Sequence, residues 1–287
     1  MRAIKKLIPH IFLMAYLLVI LYPFLFVLFS SVKVDNQSIA TNPFGLPSTL
    51  IFDNYVNAWV SAKISTYFWN SLYIGVLSAC LSILFAAMLA FAVTRMRYNR
   101  ISAIVFQCIL IGMLIPNNSL MLPIYGMMRQ LDILNTHMAL ILPYVANAIP
   151  FSVIILAAFM RSLPGEIEEA AVIDGLRSGG LFARIILPLT VPAIVTVLLF
   201  SFVWQWNDSF FTTTYLTSGK VMSTQLASLP HNLSIMLEGG VATNKDPFYM
   251  SMVQDTGILL AILPLIIIYL FVQRYFVESI ERTGIVG

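Results

Sequence analysis

Six stretches of 18 or more residues in this 287-residue chain contain no Asp, Glu, Lys or Arg: 7–32, 64–94, 101–128, 133–160, 185–207 and 256–273. A helix crossing ~30 Å of hydrocarbon needs about 20 predominantly apolar residues, because every backbone N–H and C=O has to be paired within the segment. The windows therefore predict an all-α integral membrane protein with six transmembrane helices. The last window is short, and Met250, Met252 and Val253 extend it if Asp255 faces protein or water. Composition agrees: 10% of the residues are charged and 59% hydrophobic, where soluble domains carry about 25% charge. With a mean hydropathy of +0.88, a soluble globule is excluded. The net charge of +3 is too small to point to nucleic acid as a partner. Cys80 and Cys108 sit in apolar stretches without metal-ligand spacing and read as packing residues, so neither a disulfide framework nor a metal site is expected.

The basic residues alternate in density along the chain. The N-terminus holds Arg2, Lys5 and Lys6, the second connection Arg95, Arg97 and Arg100, the fourth Arg161, Arg177 and Arg184, and the C-terminus Arg274 and Arg282. The remaining connections hold Lys33, Lys63, Arg129, Lys220 and Lys245. This split of the 16 basic residues, 11 against 5, predicts that both termini are cytoplasmic. The first window follows basic residues as a secretion signal does, yet its apolar run lasts from Ile11 to Val32 without a small-residue cleavage site, so a retained helix is expected. Three segments follow: 1–33 with the first helix, 34–63 as an extracytoplasmic loop, and 64–287 as a core with five further spans. Within the core lie a cytoplasmic loop, 161–188, and an extracytoplasmic loop, 208–250. Both extracytoplasmic loops read as turns and ordered loops, with Asn42-Pro43, Leu46-Pro47 and Gly239-Gly240 as breakers. Ser78, Ser82, Ala86 and Ala90 recur every four residues in the second span, a stripe of small side chains that lets a neighbouring helix approach closely.

Much chemistry is missing. There is no GxxxxGK[ST] phosphate loop, so ATP and Mg would have to be bound by a partner, and there is no HExxH or GxSxG motif. No metal site or cofactor is expected in this chain. His10, His137 and His231 are isolated. The spans hold no carboxylate at mid-depth, which argues against proton coupling, though a sodium site built from backbone carbonyls would leave no such trace.

The fourth connection reads RSLPGEIEEAAVIDGLRSGGLFARIILP from Arg161 to Pro188. Ser162 is a candidate cap, Pro164 suits a first turn, Glu166, Glu168 and Glu169 oppose the positive helix N-terminus, and Gly175 stops the helix. A helix of about ten residues is predicted. Ile167, Ala170, Ala171 and Asp174 fall at i, i+3, i+4 and i+7, a narrow face too weak to hold in lipid and better suited to a protein groove; the alternative is a plain surface helix between two spans that the acids only cap.

Glu169, Ala170, Ala171, Gly175, Ile185, Leu187 and Pro188 stand at the spacing EAA-x3-G-x9-I-x-L-P, which resembles the membrane subunits of binding-protein-dependent ABC importers. Asn70-Ser71-Leu72, Arg95-Met96-Arg97, Leu122-Pro123-Ile124-Tyr125, Leu134-Asn135-Thr136, Trp206-Asn207-Asp208 and Gln273-Arg274-Tyr275-Phe276-Val277 extend the likeness to the six-span, maltose-permease-like carbohydrate branch. The resemblance implies a coupling helix that docks on an ATP-hydrolysing subunit, with Glu168, Glu169, Ala170, Ala171, Asp174, Gly175, Ile185, Leu187 and Pro188 as the coupling residues. It further implies a second permease, two ATP-binding cassette subunits, an extracytoplasmic solute-binding protein and residence in the bacterial inner membrane, in contact with its lipid.

A sugar path needs polar groups that replace hydration. Asn117, Asn118 and Ser119 follow Pro116 inside an apolar window, where a helix break exposes backbone to a cavity; Asn147, Gln205 and Asn207 are further candidates, with interhelical hydrogen bonding as their other use. Trp204 and Trp206 read as interfacial aromatic anchors, with stacking on a sugar as the alternative. A self-sufficient secondary carrier and a non-transporting scaffold are the competing classes.

Overall fold

A computed structural model describes residues 2–33, 45–47, 49–60, 63–95, 99–217, 221–228 and 247–284. Regular structure among them is helical: α1 (Arg2–Ser31), α2 (Asp53–Val60), α3 (Ile64–Arg95), α4 (Asn99–Leu114), α5 (Asn117–Gln130), α6 (Met138–Ser162), α7 (Gly165–Ile173), α8 (Ser178–Leu189), α9 (Val191–Asn207), α10 (Phe210–Tyr215), α11 (222–228) and α12 (Pro247–Gly284). Four segments are long and apolar enough to span a bilayer: Pro9–Ser31, Ile64–Arg95, Met138–Ser162 and Met252–Gln273.

The remaining two expected spans are not straight. The window 101–128 breaks between α4 and α5, whose axes differ by 98°, and the window 185–207 breaks between α8 and α9, at 74°. Counting each bent pair as one span gives the six expected. Proline is the cause in both places. Pro116 stands in extended backbone immediately before α5, and Pro192 enters the first turn of α9 right after Thr190, each removing a backbone donor from the ladder. Residues 185–189 therefore lie on the first limb of the bent pair, ahead of the turn, and residues 191–207 form the second.

Two compact units divide the described chain: Met1–Phe68 with Gln225–Pro264, and Trp69–Thr224 with Leu265–Gly287. In the first unit, Asn54 donates through Nδ2 to the carbonyls of Ser31 (2.9 Å) and Lys33 (3.1 Å), satisfying acceptors at the open end of α1. Ser31 Oγ and Tyr55 Oη share a hydrogen bond at 2.9 Å. Met252, Val253 and Thr256 are buried, and Ser30 hydrogen-bonds Asp255. The short last window is thus extended as expected, with its carboxylate turned to protein. Asn42-Pro43 and Gly239-Gly240 lie outside the described residues, as does His231.

In the second unit the small-residue stripe of α3 is fully buried: Ser78, Ser82, Ala86 and Ala90 all have 0% exposure. Small side chains let backbones approach where lipid offers no hydrophobic drive between helices. One apolar cluster joins Ala86, Ala87, Ala90 and Val93 of α3 to Val153, Leu156, Ala157 and Met160 of α6, together with Ala171 of α7 and Ile186 of α8. A second cluster joins Ile74 to Leu140, Tyr144, Phe211 and Tyr215. Cys80 and Cys108 are exposed on the outer helix surface, so they are not the packing residues their apolar surroundings suggested. In a chain whose outside faces lipid, apolar sequence does not distinguish inside from outside.

Gly75 marks the closest approach. A Cβ there would lie 3.0 and 3.2 Å from ring carbons of Phe202, itself 1% exposed and stacked on Trp206. Gly75→Leu is expected to overpack this contact and cost about 1–3 kcal/mol. A thermal unfolding scan in detergent checks this; an unchanged midpoint would show that the ring moves freely.

Candidate functional site

Two places carry functional residues, one around α7 and one at the opposite end of α6. The helix α7 covers nine residues, close to the length expected. Ser162 does not cap it. Its hydroxyl donates to the Phe159 carbonyl (2.8 Å) at the end of α6, and Pro164, in extended backbone, precedes α7 without a side-chain cap. The acidic first turn, Glu166 and Glu168, supplies the favourable charge instead. At the other end Gly175 has φ +86°, its N–H bonds the Val172 carbonyl (3.0 Å), and the Leu176 N–H bonds the Ala171 carbonyl (3.0 Å). This is a Schellman cap, in which a residue of left-handed conformation satisfies orphan carbonyls.

Of the expected face, Ala171 is turned inward while Ile167, Ala170 and Asp174 are exposed. Ala171 is 6% exposed and packs into the apolar cluster shared by α3 and α6. Glu168 is paired with Arg95. These two contacts turn Glu166, Glu169, Ala170 and Ile173 outward, again at i, i+3, i+4 and i+7, with Ile173 85% exposed. Glu169 has neither an ion pair nor a hydrogen bond among the described residues. Asp174 closes the helix in the open, while Ile185 and Leu187 pack against the cluster and Pro188 is exposed. Phe182–Ile186 forms a π-helical turn inside α8.

At the opposite end of α6, a cavity of about 360 Å³ is lined by Asn117, Asn118, Asn147, Gln205, Trp204, Tyr144 and Asp208 among others. A neighbouring cavity of about 360 Å³ shares Asn117, Asn147 and Trp204 and reaches Pro116. The break at Pro116 thus borders a cavity whose mainly apolar wall carries Asn117 and Asn147. Four of the six expected path residues meet here. Ser119 is exposed, and Asn207 turns back to donate to the Val203 carbonyl (2.8 Å) of its own helix; neither lines the cavity. Trp206 is buried at 4% exposure against Phe202, so it is not an interfacial anchor, whereas Trp204 stands at the cavity with Phe151 5.4 Å away.

Tyr144 and Asp208 complete the wall without having been assigned to it. Asp208 follows α9, and its Oδ2 accepts from Tyr144 Oη (2.8 Å), Phe211 N–H (3.0 Å) and Thr212 N–H (3.3 Å), which anchors the start of α10. Burial pushes its carboxyl above the usual carboxylate range, and these hydrogen bonds pull against that shift. Gln205 is 9% exposed, and neither its Oε1 nor its Nε2 has a partner. Native interiors rarely tolerate such an amide, and this one sits in the cavity wall with its polar atoms covered. The sequence signal for Asp208 was present in Trp206-Asn207-Asp208; for Tyr144, an aromatic in an apolar run, there was none. No cluster of His, Cys, Asp or Glu able to hold a metal occurs among the described residues.

Membrane-spanning helices, cavities with asparagine side chains in their walls and an exposed short helix on the loop after α6 define a polytopic membrane protein. Residues 82–282 match the family described as binding-protein-dependent transport system inner membrane component. The chain is 31% identical over 277 residues to the ABC transporter permease protein YurM of Bacillus subtilis, covering 96% of this chain and 87% of that one. It is 35% identical over 201 residues to the diacetylchitobiose uptake system permease protein NgcG of Streptomyces coelicolor, covering 70% and 66%. The fold matches a chain in the crystal structure of a bacterial ABC transporter that imports the acidic polysaccharide alginate, with a TM-score of 0.82, 24% identity and coverage of 96% and 97%. The chain belongs to the binding-protein-dependent transport system inner membrane component family. It is an inner membrane permease subunit of the ABC importer class, dependent on a solute-binding protein.

Proposed function

We propose that this permease forms half of the path for a neutral sugar or oligosaccharide, and that the cavity around Gln205 is its part of that path. The observation that carries the reading is the meeting of Asn117, Asn118 and Asn147 with Gln205 and Trp204 in one cavity wall, where amide donors and acceptors can replace the hydration of sugar hydroxyls. Trp204 adds a face for a pyranose ring. The wall contains the Asp208 carboxylate and no Lys or Arg, an arrangement that repels an acidic sugar such as alginate and suits a neutral one such as diacetylchitobiose. A relative at 35% identity is named for the uptake of diacetylchitobiose, a neutral cargo.

The chain itself carries no ATPase site. ATP and Mg are bound by the two cassette subunits, whose closure on ATP pulls α7 and favours an outward-open path; hydrolysis resets it by the differential contacts of the two states. Both termini are cytoplasmic, in line with the 11-to-5 distribution of basic residues. The segments 1–33, 34–63 and 64–287 serve as first helix, external loop and transport core. Glu169, Ala170 and Ile173 form the docking face, Glu168, Ala171 and Gly175 set its orientation, and Asp174, Ile185, Leu187 and Pro188 carry the loop back to α9.

Gln205→Leu separates function from stability. Removing an unsatisfied amide from a buried site stabilises the protein by about 1–3 kcal/mol, while uptake of the sugar weakens by a comparable free energy, roughly tenfold or more. Unfolding midpoints and concentration-dependent uptake into proteoliposomes holding the complete complex, run with neutral oligosaccharides and with oligouronates, test both halves. Uptake kinetics unchanged by the substitution, or a preference for uronates, would sink the assignment.

A further inference from the structure

Arg95 ends α3 in the midst of three elements. Its Nε donates to both carboxylate oxygens of Glu168, at 2.8 and 2.7 Å. One terminal nitrogen also pairs with Glu168 Oε1 and donates to the Met160 carbonyl at 2.8 Å. The two side chains are 22% and 16% exposed. Each partner gains from its position. Met160 lies in the last turn of α6, where carbonyls lack helical partners and a cation is favoured, and Glu168 lies in the first turn of α7, where an anion is favoured. A guanidinium is the side chain able to grip a carboxylate with two bonds and still reach a third acceptor.

We propose that Arg95 is a positioning residue for transport, clamping α7 to α3 and α6 so that the docking helix and the cavity wall move as one body. The chain linking α6 to α7 is just Leu163 and Pro164, and α7 leaves through the glycine cap at Gly175. Without the clamp, α7 is held by the two-residue link, the glycine cap and the packing of Leu163, Ala171 and Leu176 on the apolar cluster, and part of a pull on it is absorbed by rotation there. With the clamp, the pull passes into α6, which runs about 20 Å at 1.5 Å per residue from Met160 to Asn147 in the cavity wall. Phe106 under the Arg161 guanidinium (5.0 Å) ties the same end of α6 to α4.

The inference rests on the proposed alternating-access role of the cavity, and the test separates the two. In the complete complex with Cys80 and Cys108 replaced by serine, Asn147→Cys is labelled with a methanethiosulfonate reagent, with and without trapping by ATP and orthovanadate. The expected result is a labelling rate that changes about tenfold on trapping when Arg95 is present and little when it is Arg95→Gln, although the variant complex assembles and hydrolyses ATP. Glu168→Gln, which keeps the shape but loses the charge, reduces the response by an intermediate factor. An Arg95→Gln complex that responds as fully as the parent overturns the clamp while leaving the cavity reading intact. A parent complex whose labelling ignores trapping overturns both. Loss of assembly and ATP hydrolysis in step, with the response per assembled complex unchanged, means Arg95 is structural only and also overturns it.

Discussion

Glu169→Lys abolishes ATP-driven uptake while leaving the chain in the membrane at its normal level. Glu169 stands outward on α7 beside Ala170 and the 85%-exposed Ile173, without an ion pair or hydrogen bond among the described residues. A carboxylate so placed has nothing to stabilise inside this chain, and its reversal leaves the packing of α7 untouched. At a docked surface the situation differs. Losing one member of a desolvated charge pair costs about 2–5 kcal/mol, and reversal adds repulsion to that loss. Affinity between the permease and its ATPase falls by upwards of about thirtyfold, enough to empty the complex at ordinary concentrations. Affinity purification of the tagged chain from its native membrane, followed by mass spectrometry, checks this: the wild type brings down a P-loop ATPase and a second permease, and the variant loses the ATPase. Uptake at wild-type rate in the variant would falsify the docking role. Glu168→Lys has a different origin for its effect, because it breaks the internal pair with Arg95 and not an outward contact.

Gly175→Val disrupts assembly through the backbone. A Cβ at Gly175 meets nothing within 4 Å, so no clash is involved; the difficulty is φ +86°. An L-residue pays about 1–2 kcal/mol to adopt the left-handed conformation, and β-branching stiffens it further. Escape to negative φ surrenders the two cap bonds to Val172 and Ala171, each worth about 1 kcal/mol. Either way the last turn of α7 loosens and Ile173 loses its fixed direction. The expected result is a loss of roughly tenfold to a hundredfold in complex recovered with the ATPase. Gly175→Asn, which tolerates the left-handed region, retains assembly. Normal recovery of the complex with valine would refute the cap argument, and equal loss with asparagine would point to a need for open space in place of conformation.

The membrane character of the chain and the existence of a helix at 165–173 were legible in the sequence because both follow from local rules. A charge-free run has to span or be buried, and a proline, three acids and a distant glycine bracket a short helix whatever surrounds it. The stripe from Ser78 to Ala90 was legible for the same reason, since four-residue spacing fixes a helix face. Bends were harder: Pro116 signalled its break, but the window 185–207 read as one span because its composition is continuous across Thr190.

What the local rules leave open is rotation and reach. Nothing in the spacing of EIEEAAVI says whether Glu168 or Glu169 points outward; Arg95, 73 positions away in sequence, decides it by taking Glu168. Likewise Gln205 and Asn207 are equal candidates in sequence, two positions apart on one helix. About 200° of rotation separates them, which places Gln205 in the cavity wall and leaves Asn207 bonding its own backbone. The sequence alone determined which segments meet lipid and where a docking helix forms, because those depend on solvent and on neighbouring residues along the chain. Only the tertiary structure decided which polar side chains converge, because convergence depends on helix rotation, and that is fixed by contacts between residues far apart in sequence.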